Sequence, residues 1–349
     1  MRCRMSDFRL HSPVCDLLGC DHPILSAGMG GVARSELVAA VSEAGAYGIL
    51  GMVRESPELI SQEIDAVRAR TLRPFAVNLI PAATDAKLLD AELAICFEKS
   101  VPAMCFFWDV IPAAVARAKA AGCLVLHQVG SLGAARAAEM AGADVLIAQG
   151  VEAGGHVHGT VGALILVELI VRSVKIPVIA SGGFATGASL IAALALGAQG
   201  IHCGTAFLAT TESFAHDDHK ARVLAACAES TVYTDAFALN WPPDSPVRVI
   251  RNSVTDALGH NLMGHHPDQL PREVIAQDDG RPLLRYSTDS PLRTTTGNLE
   301  AMAAFAGQSA ALINTLPTAE ERISTILSEA RAAMARLPAQ NGVSPRAVS

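Results

Sequence analysis

Three short stretches of the chain combine glycine with residues able to move protons or hold anions. They are Gln149-Gly150-Val151-Glu152-Ala153-Gly154-Gly155-His156, Ser181-Gly182-Gly183-Phe184-Ala185-Thr186-Gly187 and Gly204-Thr205-Ala206-Phe207. The second and third expose backbone N–H groups with no Cβ in the way, and a helical stretch follows each. Free amides at the start of a helix attract an anion. Ser181, Gly182, Gly183, Gly204 and Thr205 are therefore a candidate phosphate cradle, with the Thr205 hydroxyl as a further donor. Glycine after a strand also makes plain tight turns; two such turns on successive units favour the anion site. Neither continues as Gly-Lys-Ser/Thr, and no Gly-x-Gly-x-x-Gly joins a strand to a helix, which argues against a Walker loop and the usual dinucleotide fingerprint.

An imidazole titrates near pH 6.5, so His156 can accept or donate a proton at neutral pH. The two preceding glycines let the backbone pass close to a bound ring and aim the imidazole into a pocket. A lone histidine is more often structural than catalytic. His156 stands out among the eleven histidines because its loop ends a strand beside the candidate phosphate site. His158 is the rival from the same loop. His202 lies in an apolar run and reads as structural, whereas His265 and His266 fall in a polar stretch where exposure is the default, as for most of the others. No serine or cysteine nucleophile stands beside a base, which disfavours a hydrolytic triad.

These residues need a scaffold, and the chain offers a repeating one. Short apolar runs occur at Pro23–Ala27, Ala46–Leu50, Phe75–Leu79, Ala103–Phe107, Cys123–His127, Val145–Ala148, Val178–Ala180 and Gly200–Cys203. Nearly free of charge, they suit parallel strands covered on both faces. Helical spacing fills the gaps, as in Ser35–Ala44 before Gly45 and Thr186–Leu196 before Gly197. Eight strand–helix units make an α/β (β/α)8 TIM barrel the expected fold, ahead of an open doubly wound sheet, with the site at the C-terminal strand ends. The expected domains are a barrel from residues 1–215 and 298–337, a lid or substrate region at 216–297, and a disordered tail at 338–349. Leu299–Leu312 and Thr318–Leu337 return to helical spacing, whereas residues 231–297 show no strong period.

The 349 residues carry 27 Lys and Arg against 34 Asp and Glu, a net charge of −7, and half of them are hydrophobic. That composition excludes disorder as the main state. With no block of like charges, neither a nucleic-acid partner nor a polybasic membrane anchor is expected. The most apolar stretch, Val161–Val171, is broken by Glu168 and is too short to span a bilayer. No secretory signal opens the chain, so a cytoplasmic location is expected. The eight cysteines form no Cys-x-x-Cys pair, which points to reduced thiols, with neither disulfides nor a metal centre.

Taken in order, several motifs resemble the nitronate monooxygenase family, formerly called 2-nitropropane dioxygenases, and its class I branch in particular. They are Pro23–Gly31, Val77-Asn78-Leu79, Gln149–His156, Ala180–Gly183 and Gly204–Ser213, with a weaker echo at Phe305–Ser309. The resemblance implies a barrel with noncovalent FMN. Met29 would lie near the isoalloxazine ring, Asn78 and Gln149 would bond the flavin or its ribityl chain, and Gly154 would pass beside it. Gly183, His202, Cys203, Gly204 and Thr205 would hold the phosphate end, and His156 matches the family's catalytic base. Two departures stand out: Gly28, where the family usually has proline, is expected to loosen its turn, and Val157-His158-Gly159 replaces the commoner basic residue then glycine.

The implied reaction is oxidation of a small alkyl nitronate, with O2 reoxidising the flavin and a carbonyl compound and nitrite as products. The same architecture also resembles flavin-dependent enoyl-acyl carrier protein reductases and NADH:quinone reductases. The alternative is thus an NAD(P)H-dependent FMN reductase acting on an enoyl thioester or a quinone. A flavin-free phosphate-binding barrel, whether an isomerase, a lyase or a binding protein, is the remaining option. The sequence leaves the oligomeric state open, a homodimer included.

Overall fold

The structure is a computed structural model that describes residues 10–337; the tail expected at 338–349 lies outside the described residues. Nine strands precede residue 204: β1 (Ile24–Ser26), β2 (Gly48–Gly51), β3 (Phe75–Leu79), β4 (Ala103–Phe106), β5 (Leu124–Val129), β6 (Val145–Gln149), β7 (Gly155–His156), β8 (Val178–Ser181) and β9 (Ile201–Cys203). All but β7 form one parallel sheet in the order β1-β9-β8-β6-β5-β4-β3-β2. A parallel bridge from Leu25 to Tyr47, with Ser26 N–H donating to Tyr47 O at 3.0 Å, brings the two edges together. The architecture is the (β/α)8 barrel, and each expected apolar run supplies one of its staves.

Strand alternation sorts the side chains into two cores. Leu25, Ile49, Ala76, Leu126, Ile147 and Ile179 fill the barrel, where Val14, Cys15 and Leu18 of the helix Pro13–Leu18 join them from below. Their strand neighbours Ile24, Leu50, Val77, Val125, Leu146, Ala180 and Ile201 pack outward against the helices. The described cysteines are all free thiols; only Cys227 is exposed. Among the described residues no helix is long and apolar enough to cross a membrane.

The helices begin and stop where the sequence signals them. Thr186 caps Gly187–Ala195 by accepting a hydrogen bond from Ser189 N–H, and Gly45 takes a left-handed φ of 82° after Ser35–Glu43. Gly187 has a packing reason as well. A Cβ there would lie 2.0 Å from Ala330 N and 2.3 Å from Ile326 O of the C-terminal helix Ala319–Arg336. Gly187→Ala is expected to push that helix off the barrel at a cost of about 1–3 kcal/mol, seen as a lowered melting temperature; an unchanged melt would contradict this packing.

Residues 216–297 contain β10 (Thr231–Thr234), β11 (Val247–Ile250), β12 (Val274–Asp278), β13 (Arg281–Leu284) and β14 (Thr295–Gly297), in two small antiparallel sheets. β11 lies between β10 and β7, pairing Val247 with His156 and Arg248 with Gly155. The strands are too short for alternation to register as a period. Leu299–Leu312 differs from the helical expectation: it holds two 3-10 turns, Leu299–Ala301 and Gln308–Leu312, joined by extended backbone. Its alanines mimic a helical stripe, but Ile250 N–H donates to Ala304 O at 2.8 Å and Phe305 bridges Val249. Pairing with β11 uses the backbone groups that a helix would need.

Candidate active site

The inward positions of the strands turn polar at their C-terminal ends. One step beyond Ala76, Leu126, Ile147 and Ile179 on the same strand faces stand Asn78, Gln128, Gln149 and Ser181, and His202 occupies the inward position of β9. These side chains line an open cavity above the apolar barrel filling. Asn78 Nδ2 donates to Cys105 O at 3.0 Å, and Gln149 Nε2 donates to His156 O at 2.9 Å. The Ser181 hydroxyl and His202 Nδ1 are hydrogen-bonded at 2.9 Å. Burial pushes the His202 imidazole down to about 4, so the ring is neutral. Gln149 Oε1 and His202 Nε2 are buried and meet no protein partner, an arrangement that favours a polar ligand above them.

The glycine loops form one side of the rim. Gly182 and Gly183 have left-handed φ values of 88° and 84°, and a Cβ on Gly183 would meet nothing closer than 3.7 Å. Gly204 opens onto Ala27 and Met29 Sδ, at 3.7 and 3.8 Å from where its Cβ would stand. Thr205 Oγ1 accepts a hydrogen bond from Gly307 N–H at 3.0 Å. Gly154 is needed for close packing, because its Cβ would lie 2.4 Å from Gly307 N. Gly28 does not loosen its turn: a Cβ there would fall 2.4 Å from Asn78 Cβ, so glycine lets the end of β1 press on Asn78.

Eleven of the twelve expected site residues line the cavity: Met29, Asn78, Gln149, Gly154, His156, Ser181, Gly182, Gly183, His202, Gly204 and Thr205. Cys203 is the exception, since its side chain packs in the outer core beside the helices. Alternation along β9 accounts for this: if His202 points in, Cys203 points out.

Above the polar floor, His156 sits among aromatic rings. Its imidazole stacks on Trp241 with centroids 3.4 Å apart, meets Trp108 edge-on at 6.0 Å and lies 6.0 Å from Phe305. His156 Nε2 is buried without a hydrogen-bond partner. Burial, with a smaller push from the Arg54 guanidinium, holds the ring well below the ordinary histidine range. His156 is therefore neutral at pH 7, the form that accepts a proton. His158 does not line the cavity: its Nε2 meets Asp109 Oδ1 at 3.2 Å, and its ring lies 4.6 Å from that of Trp108. His265 is also not the exposed residue expected, since its Nδ1 bonds Asp235 Oδ1 at 2.8 Å. Among the described histidines only His11, His260 and His266 are exposed.

Arg54, Phe107, Gln128 and Trp241 line the cavity without having been expected, and Trp108 stands behind them. Gln128 was accessible from strand parity, being two residues beyond Leu126. Trp241 lies in the aperiodic region, and nothing in the local sequence around Arg54 points inward. Among the described residues no cluster of histidine, cysteine or carboxylate side chains suits a metal ion.

Comparison with known proteins gives a consistent result. A family model described as nitronate monooxygenase matches residues 11–329. The nitronate monooxygenase of Paraburkholderia phytofirmans is 33% identical, with 87% of this chain and 91% of that one covered. A Mycobacterium tuberculosis protein named (3aS,4S,5R,7aS)-5-hydroxy-7a-methyl-1-oxo-octahydro-1H-indene-4-carboxyl-CoA dehydrogenase is 31% identical, with 92% and 96% covered. FabK from Thermotoga maritima superposes with a TM-score of 0.79 at 32% identity, covering 93% of this chain and 97% of that one.

Proposed function

The chain belongs to the nitronate monooxygenase family of oxidoreductases, and on that premise we propose that it oxidises small alkyl nitronates with FMN and O2, His156 serving as the base. The observation that carries this reading is the unpartnered Nε2 of His156, buried in the same cavity as the glycine rim. The residues present suit a flavin. Gly182, Gly183, Gly204 and Thr205 offer amides and a hydroxyl to its phosphate, while Gln149 Oε1 and His202 Nε2 are polar atoms without protein partners. Asn78, Ser181, Met29 and Gly154 complete the cofactor wall, and the inner end of the barrel is closed by apolar side chains.

When bound, the flavin would accept electrons from the substrate and pass them to O2. The chain supplies position and proton control. Stacking on Trp241 and the edge-on contact with Trp108 fix the imidazole plane. The Gln149 amide holds the His156 backbone through its carbonyl, so the base and the cofactor wall share one support. Neutral His156 then takes the α-proton of a nitroalkane at Nε2, whereas a preformed nitronate needs no such transfer. The 216–297 region is proposed as the lid or substrate region over the barrel, because Trp241 and Asn240 from it line the cavity.

A second reading is an NAD(P)H-dependent flavin reductase acting on a thioester or quinone; the relative named as a carboxyl-CoA dehydrogenase favours it. Anaerobic mixing separates the two. Ethylnitronate is expected to bleach the flavin absorption band within seconds, and NADH or NADPH to bleach it at least 100-fold more slowly. Rapid bleaching by a nicotinamide with none by the nitronate would reverse the assignment.

A further inference from the structure

We propose that Arg54 is the anion anchor of the substrate subsite and selects substrates bearing a planar two-oxygen anion, the group that a nitronate shares with a carboxylate. This rests on the nitronate reading above. Arg54 lines the cavity, and its guanidinium lies 5.0 Å from the centroid of the Trp241 ring that also stacks on His156. Its Nη1 donates to the Asn240 backbone carbonyl, and among the described residues no carboxylate pairs with it. The nearby acids are engaged elsewhere. Glu55 pairs with Arg34 at 3.0 Å, and Asp289 pairs with Arg281 at 3.0 Å while also accepting from Asn240 Nδ2. Glu92 is fully buried and pushed up to about 8, so it is protonated at neutral pH.

A half-buried guanidinium with neither a carboxylate partner nor full solvation is costly, and it would bind an anion strongly. The backbone reinforces this. Arg54 has a left-handed φ of 57°, a conformation that a non-glycine residue adopts only at an energetic cost. Trp108, across the aromatic group, has a φ of 74°. Two strained residues thus border one subsite. The planar fork of arginine matches two coplanar oxygens, which a neutral nitroalkane or an amide cannot supply with charge. An anion held there would also offset the repulsion of the guanidinium on His156, making the imidazole a better base once a nitronate begins to form.

The test uses butyrate, isosteric with propyl-1-nitronate, and butyramide as its neutral counterpart. Trp108 and Trp241 are the only tryptophans of the chain, so intrinsic fluorescence reports on this cavity. Butyrate is expected to change the fluorescence of the purified protein saturably, and to raise the KM for propyl-1-nitronate while kcat stays unchanged. Asparagine tolerates the left-handed conformation, so Arg54→Asn should weaken butyrate at least tenfold and leave butyramide equally weak in both proteins. Butyrate binding within twofold of wild type in that variant would overturn the proposal. If the variant does not fold, the wild-type preference decides: tenfold or more for butyrate over butyramide supports the anchor, and parity overturns it. Loss of nitronate turnover in wild type with intact Arg54-dependent butyrate binding would sink the reaction assignment and leave the anchor standing.

Discussion

His156→Asn is expected to lower kcat/KM for a neutral nitroalkane by about 10²- to 10⁴-fold, the usual contribution of a general base, while changing kcat/KM for the preformed nitronate by less than about tenfold. The difference arises because only the neutral substrate has a proton to lose. Asparagine retains a polar atom of similar reach, so the aromatic box and the cofactor wall should survive, and flavin content should match wild type. The pH profile has a defined sign. Burial and Arg54 depress the His156 pKa, so the neutral base persists below pH 6.5. The acidic limb of the nitroalkane profile should therefore fall below the ordinary histidine value and vanish in the variant. Equal losses on both substrates would remove His156 from the role of base.

The second large effect concerns stability. Glu92, on the helix Ala86–Glu98, is fully buried, and among the described residues no cation forms an ion pair with its carboxyl. Burial is the main cause that pushes its carboxyl up to about 8; the backbone of Arg54 and Glu55 pulls it only partly back. Between pH 4.5 and 8 the folded chain keeps a proton that the unfolded chain has released. Stability is then greatest below pH 4.5 for this group and declines as pH rises toward 8, by an amount on the order of 5 kcal/mol. Glu92→Gln removes the titration. Its melting temperature should match wild type near pH 5 and exceed it by roughly 10 °C at pH 9. Parallel melting curves for the two proteins across that range would refute a neutral buried carboxyl.

The same residue bears on function. Glu92 lies beneath the turn that carries Arg54, and ionising it would place a negative charge under a guanidinium proposed to hold an anion. A neutral Glu92 leaves that positive charge available to the cavity.

Much of the barrel was legible because parallel strands covered on both faces must be short, apolar and uncharged, and eight such runs stood at regular intervals. The polar floor was legible only in part. Ser181 stood out in a glycine turn, whereas Asn78, Gln149 and His202 came only from the family resemblance; His202 by itself read as structural, and strand parity turns all four into the cavity. Cys203 shows the limit of motif reading, since its neighbour His202 already fixed the parity that turns the thiol outward. Leu299–Leu312 failed because buried alanines are periodic in a helix and also in a close-packed extended segment, and hydrogen bonding to β11 decided between them.

By itself, the sequence determined the barrel, the glycine rim and the candidate base, because strand period, glycine conformation and imidazole chemistry are local properties. The aromatic box and the unpaired guanidinium were decided only by tertiary structure. Trp108, Arg54, Trp241 and Phe305 come from four distant segments, and nothing local to any of them requires the others. They meet because β11 of the 216–297 region pairs with the two-residue strand carrying His156, a long-range register set by folding and not written in either segment alone.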